Sequence, residues 1–207
     1  MKIGIYGGSF DPVHFGHIFL AEDAKIAAGL DQVIFVPVKL QPFKQERQVA
    51  SGEHRCNMLS LAFEEAGFKD TFQVSDFELK KDGVSYTYET LRAFREKFPG
   101  SKIYFIIGSD SIKKLDMWKN AEEILKNHDF IVGKRPGEDE DALKRKAQEI
   151  TAKFGTEFVI TNNRQFDISS TYVRKNVYLE DLPDRLVPVS VERYIEENGL
   201  YRELSEK

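Results

Sequence analysis

Short apolar runs alternate along the chain with longer stretches in which apolar residues recur every three or four positions. The runs Lys2–Tyr6, Gln32–Val36, Thr71–Phe77, Lys102–Ile107, Asp129–Val132 and Glu157–Ile160 read as strands. The stretches His14–Ala28, Glu53–Ala66, Tyr88–Phe98, Ala121–Lys126 and Asp139–Phe154 read as helices between them. A last helix, Ser190–Asn198, follows a Pro-containing segment. Apolar strands alternating with helices imply a mainly parallel sheet with helices on both faces, a doubly wound, Rossmann-like α/β fold. Sheets of this kind bind ligands beyond the carboxyl ends of the strands, near the point where strand order reverses. In the first helix, Asp11 is the expected cap and Pro12 the expected first residue. His14, His17 or Ile18, Ala21, Ala24 and Ala28 then fall on one face.

Composition narrows the setting. The chain has 207 residues, 41% of them hydrophobic, which suits one domain with a sizeable core. A net charge of −4 argues against a general nucleic-acid surface. The single cysteine, Cys56, rules out an internal disulfide and is expected to be a buried small residue rather than a nucleophile. No apolar signal core follows Lys2, and runs such as Ile103–Ile107 are too short to span a bilayer. A cytoplasmic protein with no membrane or nucleic-acid partner is the expectation, and a homo-oligomer is compatible with it. The polar segment Pro37–Gly52 reads as a mobile loop of lid length, and the acidic run after Pro136 as the approach to a helix start.

Two stretches concentrate the candidate chemistry. The first is Gly7-Gly8-Ser9-Phe10-Asp11-Pro12-Val13-His14-Phe15-Gly16-His17. A strand, a glycine turn and a helix start present backbone N–H groups to a phosphate. Gly16 leaves room where a ligand presses close, and the two histidines add side-chain donors. Taken alone, the pair is equally well two structural histidines at the head of a core stripe. A metal pair lacks an obvious third ligand nearby. The second stretch is Ile168-Ser169-Ser170-Thr171-Tyr172-Val173-Arg174. Its hydroxyls suit a helix cap, and Arg174 falls one turn from Ser170 with a planar fork suited to phosphate. By itself it is also an ordinary capped helix with a surface arginine.

The two stretches together resemble the paired signatures of the HxGH nucleotidyltransferases. Between them run Phe35-Val36-Pro37, Pro42-Phe43-Lys44, Ser85-Tyr86-Thr87-Tyr88-Glu89-Thr90-Leu91, Ile107-Gly108-Ser109-Asp110, Trp118 and Lys134-Arg135-Pro136-Gly137. Val187-Pro188, Tyr194-Ile195 and Gly199-Leu200-Tyr201 close the series. In this order they are similar to the bacterial nicotinate-nucleotide adenylyltransferase family. The resemblance implies adenylyl transfer from ATP to nicotinate mononucleotide, giving deamido-NAD and pyrophosphate, with nicotinamide mononucleotide as the alternative acceptor. It implies His14, His17, Lys44 and Arg174 at the reacting phosphates. It implies Gly7, Gly8, Ser9, Phe10, Gly16, Gly108, Asp110, Ile168, Ser170 and Thr171 around ATP. Lys44, Tyr86, Thr87, Trp118 and Arg135 would serve the acceptor, with Trp118 stacked on its ring. Mg²⁺ would be held mainly by substrate phosphates, with no metal site of the chain's own. A C-terminal helical part, about 168–207, would pack on the single domain 1–207 and complete the ATP site. The family commonly carries a histidine where this chain has Phe43, so no role passes to that position.

Overall fold

The computed structural model describes residues 1–39, 50–135, 137–161, 168–179 and 185–205. The chain opens with β1 (Lys2–Gly8), α1 (Phe15–Ala28), β2 (Gln32–Pro37), α2 (Gly52–Glu65) and β3 (Phe72–Val74). After α3 (Thr87–Lys97) and β4 (Lys102–Gly108) come the single-turn α4 (Ser109–Ile112), a 3₁₀ turn at Leu115–Met117, α5 (Ala121–Asn127) and β5 (Asp129–Gly133). α6 (Glu140–Phe154), β6 (Phe158–Thr161), α7 (Ser170–Asn176), α8 (Val189–Glu197) and α9 (Arg202–Ser205) complete it. Each apolar run of the sequence is a strand. Among the described residues the strands form one parallel sheet in the order β3-β2-β1-β4-β5-β6.

Alternation along the strands divides the core between the two faces. Ile3, Ile5, Phe105 and Ile107 pack with Leu91 of α3, Ile124 of α5 and Leu143 of α6. Tyr6, Val33, Phe35 and Ile106 pack on the other side with Ile18 of α1, Met58 of α2 and Ile195 of α8. That second core also takes in Val173, Val177, Leu186 and Tyr201, so the C-terminal elements share their burial with α1 and α2. The Glu65 carboxylate, at the end of α2, accepts from the N–H groups of Val189 and Ser190 at 2.9 and 2.6 Å. It thereby satisfies the start of α8, whose N-cap, Pro188, makes no side-chain cap bond.

Strand order reverses between β1 and β4. The glycines Gly7 and Gly8, Pro37, Gly108 and Gly133 lie together at the carboxyl ends, in register across the sheet. The expected binding crevice is there.

Local expectations change in three places. β3 stops at Val74: it pairs only with β2, and the chain turns away through Asp76, whose carbonyl accepts from Lys80 N–H. α1 begins at Phe15 with His14 as N-cap, not at Pro12 with Asp11. Asp11 is drawn inward instead, where its Oδ1 accepts from Ala50 N–H and Tyr201 O–H. On α2, Arg55 is buried and Cys56 is partly exposed. The helix turns Arg55, Met58, Leu59 and Ala62 toward the sheet, and position 56 lies off that stripe. Partial burial still pushes the Cys56 thiol above its ordinary range, which suits an unreactive residue. Among the described residues, no helix is long and apolar enough to cross a membrane.

Candidate active site

The loop after β1 is shaped by close contacts. Phe10 adopts a left-handed backbone with φ 48°, unusual for a bulky residue, and its side chain is fully buried. Its ring packs between Tyr6, Phe35 and His17 at centroid distances of 5.3, 5.4 and 5.0 Å. A Cβ on Gly8 would lie 2.8 Å from that ring, so the turn needs glycine at this point. Phe10 therefore forms the floor of the loop.

On this floor the two histidines are stacked, with ring centroids 3.7 Å apart and an interplanar angle of 28°. His17 Nδ1 accepts from the His14 backbone N–H at 3.3 Å. Its remaining proton then sits on Nε2, available to an acceptor. His14 is 5% exposed, and its Nδ1 has no hydrogen-bond partner. Burial, reinforced by His17 and Arg135, pushes the His14 imidazole well below its usual range. Burial and then Arg135 lower His17 to about 3. Both rings are neutral N–H donors at neutral pH. Gly16 sits against them: a Cβ there would be 3.1 Å from His14 Cε1 and Nδ1 and 3.7 Å from the Ile168 carbonyl oxygen.

The second motif closes on the first. Ser169, not Ser170, caps α7, accepting from Tyr172 N–H at 3.1 Å. Ser170 is thereby free to donate from Oγ to the Pro12 carbonyl at 3.0 Å. Arg174 donates to the Asp11 carbonyl at 2.7 Å and to Thr171 Oγ1 at 3.2 Å. From the other side, Arg55 donates to the Ser9 carbonyl at 2.7 Å. The loop Ser9–Pro12 is thus clamped by cations and hydroxyls from α2 and α7. Lys44 lies outside the described residues.

A cavity of about 690 Å³ opens beside the loop, bounded by Tyr6 and Gly7 of β1 and Ile107 and Gly108 of β4. Ser85, Tyr86 and Thr87 enter it from the start of α3, and Trp118 and Lys119 from beyond the 3₁₀ turn. Trp118 is held edge-on to Phe105 at 6.0 Å, and Lys119 Nζ stands 4.0 Å from the centre of the Tyr86 ring. Asp110 lines the cavity and pairs with Arg135 at 2.9 Å. Arg135, expected at the acceptor, is exposed, and its charge reaches the histidines and Tyr6. Arg55 and Glu78 were not singled out from the sequence. A charged residue in phase with a helix's apolar stripe signalled the first, and nothing local signalled the second.

An HxGH loop clamped by a serine- and arginine-bearing helix, beside an aromatic-lined cavity, fits a nucleotidyl transfer site. Residues 5–176 match the model of the cytidylyltransferase-like family. The nicotinate-nucleotide adenylyltransferase of Bacillus subtilis is 34% identical over 200 residues, covering 97% of this chain and 98% of that one. The chain belongs to the nicotinate-nucleotide adenylyltransferase family. A second relative, from Carboxydothermus hydrogenoformans and named probable nicotinate-nucleotide adenylyltransferase, is 38% identical over 202 residues, with 97% and 98% covered. A solved structure of Plasmodium falciparum nicotinic acid mononucleotide adenylyltransferase complexed with NaAD aligns with a TM-score of 0.77 over 97% of both chains. At 24% identity that likeness is one of fold. This family member therefore shares its architecture with enzymes well outside its closer sequence relatives.

Proposed function

We infer that this protein transfers the adenylyl group of ATP to nicotinate mononucleotide, releasing pyrophosphate and forming deamido-NAD. The observation that carries the reading is the clamp itself. Arg174 and Ser170, far along the chain, bond to the Asp11 and Pro12 carbonyls and so bring the two phosphate-type motifs into one site. An aromatic-lined cavity large enough for a mononucleotide adjoins it.

In this reading a phosphate oxygen of the mononucleotide attacks the α-phosphorus of ATP. The new P–O bond forms as the bond to the bridging oxygen breaks, and pyrophosphate leaves. The nucleophile is already anionic at neutral pH, so the residues need to align and stabilise charge more than to remove a proton. His17 Nε2–H and the His14 imidazole donate to the phosphate oxygens on which charge builds. Being neutral before substrate arrives, they can take up a proton as the polyphosphate approaches. Gly7, Gly8, Ser9 and the Phe10 backbone let the nucleotide lie against the turn, and the Gly16 N–H faces it from the helix mouth. Ile168, Ser170 and Thr171 border the triphosphate, while Arg174 and Lys44 offset its charge and Arg135 serves the acceptor. Gly108 and Asp110 are assigned to the nucleotide at the end of β4. Trp118 stacks on the acceptor ring, and Tyr86 and Thr87 offer the start of α3 to the ring carboxylate.

Mg²⁺ would neutralise phosphate charge. Among the described residues no three His, Cys, Asp or Glu side chains converge to hold a metal ion. The reading therefore has the ion carried on substrate oxygens and water. We further propose that residues 1–207 act as one domain, with the part after about 168 completing the ATP site, and that the enzyme works in the cytoplasm.

Pyrophosphate release with ATP and either mononucleotide tests the reading. A higher kcat/KM on nicotinate mononucleotide is expected, and a higher value on nicotinamide mononucleotide would reassign the acceptor.

A further inference from the structure

Among the described acidic residues, Glu78 combines burial with a place in a cavity wall. It is 4% exposed, yet it lines the cavity assigned above to the acceptor. Its Oε1 accepts from Thr90 Oγ1 at 2.5 Å, while its Oε2 is buried with no hydrogen-bond partner. Ser85, 6% exposed and lining the same cavity, makes no hydrogen bond of ordinary geometry, although its hydroxyl stands close enough to the Glu78 carboxyl to pull it down. A buried polar atom without a well-formed hydrogen bond costs stability, so a carboxyl oxygen in this state inside a cavity calls for an explanation. Both flank the start of α3, where the N–H groups of Thr87 and Tyr88 have no carbonyl within the helix to bond. Glu78, Ser85 and Thr87 thus bring a carboxyl oxygen, a hydroxyl and a free N–H to the wall of one cavity, a lining suited to a small planar polar group.

We propose that Glu78 is a specificity-determining residue that selects between a ring carboxylate and a ring carboxamide on the acceptor mononucleotide. The proposal rests on the adenylyl-transfer reading and deepens it. A carboxylate offers only acceptors. It satisfies Ser85 and the N–H groups, and it tolerates Glu78 Oε2 only when that oxygen carries a proton to donate. A carboxamide offers one acceptor and two N–H donors, so it satisfies the same groups and an ionised Glu78. The protonation state of one buried carboxyl thus decides which acceptor leaves no polar atom unpaired.

The surroundings favour the protonated form. Burial raises the Glu78 carboxyl above its ordinary range, against the opposing pull of Thr90, Ser85 and Lys81, and Glu89 raises it further. Lys81 is itself paired with Glu89. The other charged groups lining the cavity are Lys114, Lys119 and Asp110. The phosphate common to both mononucleotides titrates identically in each, so the ratio of their affinities isolates the ring substituent.

Trp118, the only tryptophan, lines the same cavity and reports binding without turnover. Its fluorescence would be followed during titration with nicotinate mononucleotide and with nicotinamide mononucleotide from pH 5 to 8.5. Wild type, Glu78→Gln and Glu78→Ala would be compared. In wild type the acid-to-amide affinity ratio should fall about tenfold or more as pH rises, the scale of one hydrogen bond to a charged group. Glu78→Gln, a permanent N–H donor of the same shape, should keep the acid preference and show a flat profile. Glu78→Ala should weaken acid binding about tenfold. The inference is overturned if Glu78→Gln follows the wild-type pH profile, or if wild type has a flat ratio. Wild type that binds acid with this profile yet forms no dinucleotide with ATP would instead sink the transfer reading and leave the selectivity standing.

Discussion

Gly16→Ala separates chemistry from folding more sharply than removal of a histidine would. Gly16 is the second residue of α1 and does not have a positive φ, so alanine fits its backbone. Replacing helical glycine with alanine stabilises by up to about 1 kcal/mol. The new Cβ, however, would sit 3.1 Å from Cε1 and Nδ1 of His14. Carbon contacts prefer about 3.5 Å or more, so the His14 ring must retreat by about 0.4 Å. If a displacement of about 1 Å costs about 100-fold, a logarithmic scaling of the smaller shift gives a loss of about sixfold. The stacked His17 ring, 3.7 Å away centre to centre, moves or loses its partner with it. Steady-state pyrophosphate release should show kcat reduced between about threefold and tenfold. A thermal melt should show a midpoint unchanged or raised by up to about 4 °C, as expected for about 1 kcal/mol at this chain length. A kcat within twofold of wild type would refute the view that His14 must hold its present position. A midpoint lowered by several degrees would refute the steric account, because the strain would then have spread into the fold.

Two further outcomes follow from the same site. His17→Ala removes the Nε2–H donor and should lower kcat by about 100-fold to 1,000-fold while changing the KM for ATP by less than about threefold; equal losses in both parameters would make it a ground-state contact. Stability should fall as pH drops from about 6.5 toward 5. The unfolded chain takes up protons on histidine there, while burial keeps folded His17, lowered to about 3, from doing so. The slope from His17 is at most about 1.4 kcal/mol per pH unit. His17→Gln should therefore show a shallower decline in denaturant melts between pH 7 and 5, His14 and His128 retaining part of it. Glu140, whose ion pairs with Lys144 and Lys134 hold it to about 2, costs stability only as pH falls through and below the ordinary carboxylate range, whereas Glu78, raised by burial, opposes the decline in wild type and variant alike and cancels in their comparison.

Much of this molecule was legible in its residue order. The alternation of apolar runs and helical stripes determined the elements, since burial on both faces demands continuous apolar strands and burial on one face demands a 3.6-residue period. The glycines, histidines and serines of the two motifs marked where phosphate chemistry belongs, because turns, helix mouths and caps are local structures with local signals. What no local signal carried was partnership across the chain. Asp11 looked like a helix cap and is instead the meeting point of Tyr201, Ala50 and, through its carbonyl, Arg174. Phe10 sits within the motif yet serves as its floor. Arg55, a charge in phase with the apolar stripe of α2, holds the Ser9 carbonyl from within the core. Glu78 acquired its character only when the fold buried it beside the start of α3 and left one of its oxygens without a partner. Periodicity is a property of neighbours in sequence, whereas burial, pairing and protonation depend on which distant groups share a dielectric environment. Sequence could therefore say that a phosphate site exists, and only the packed structure decided that its histidines are neutral, stacked and clamped from both ends.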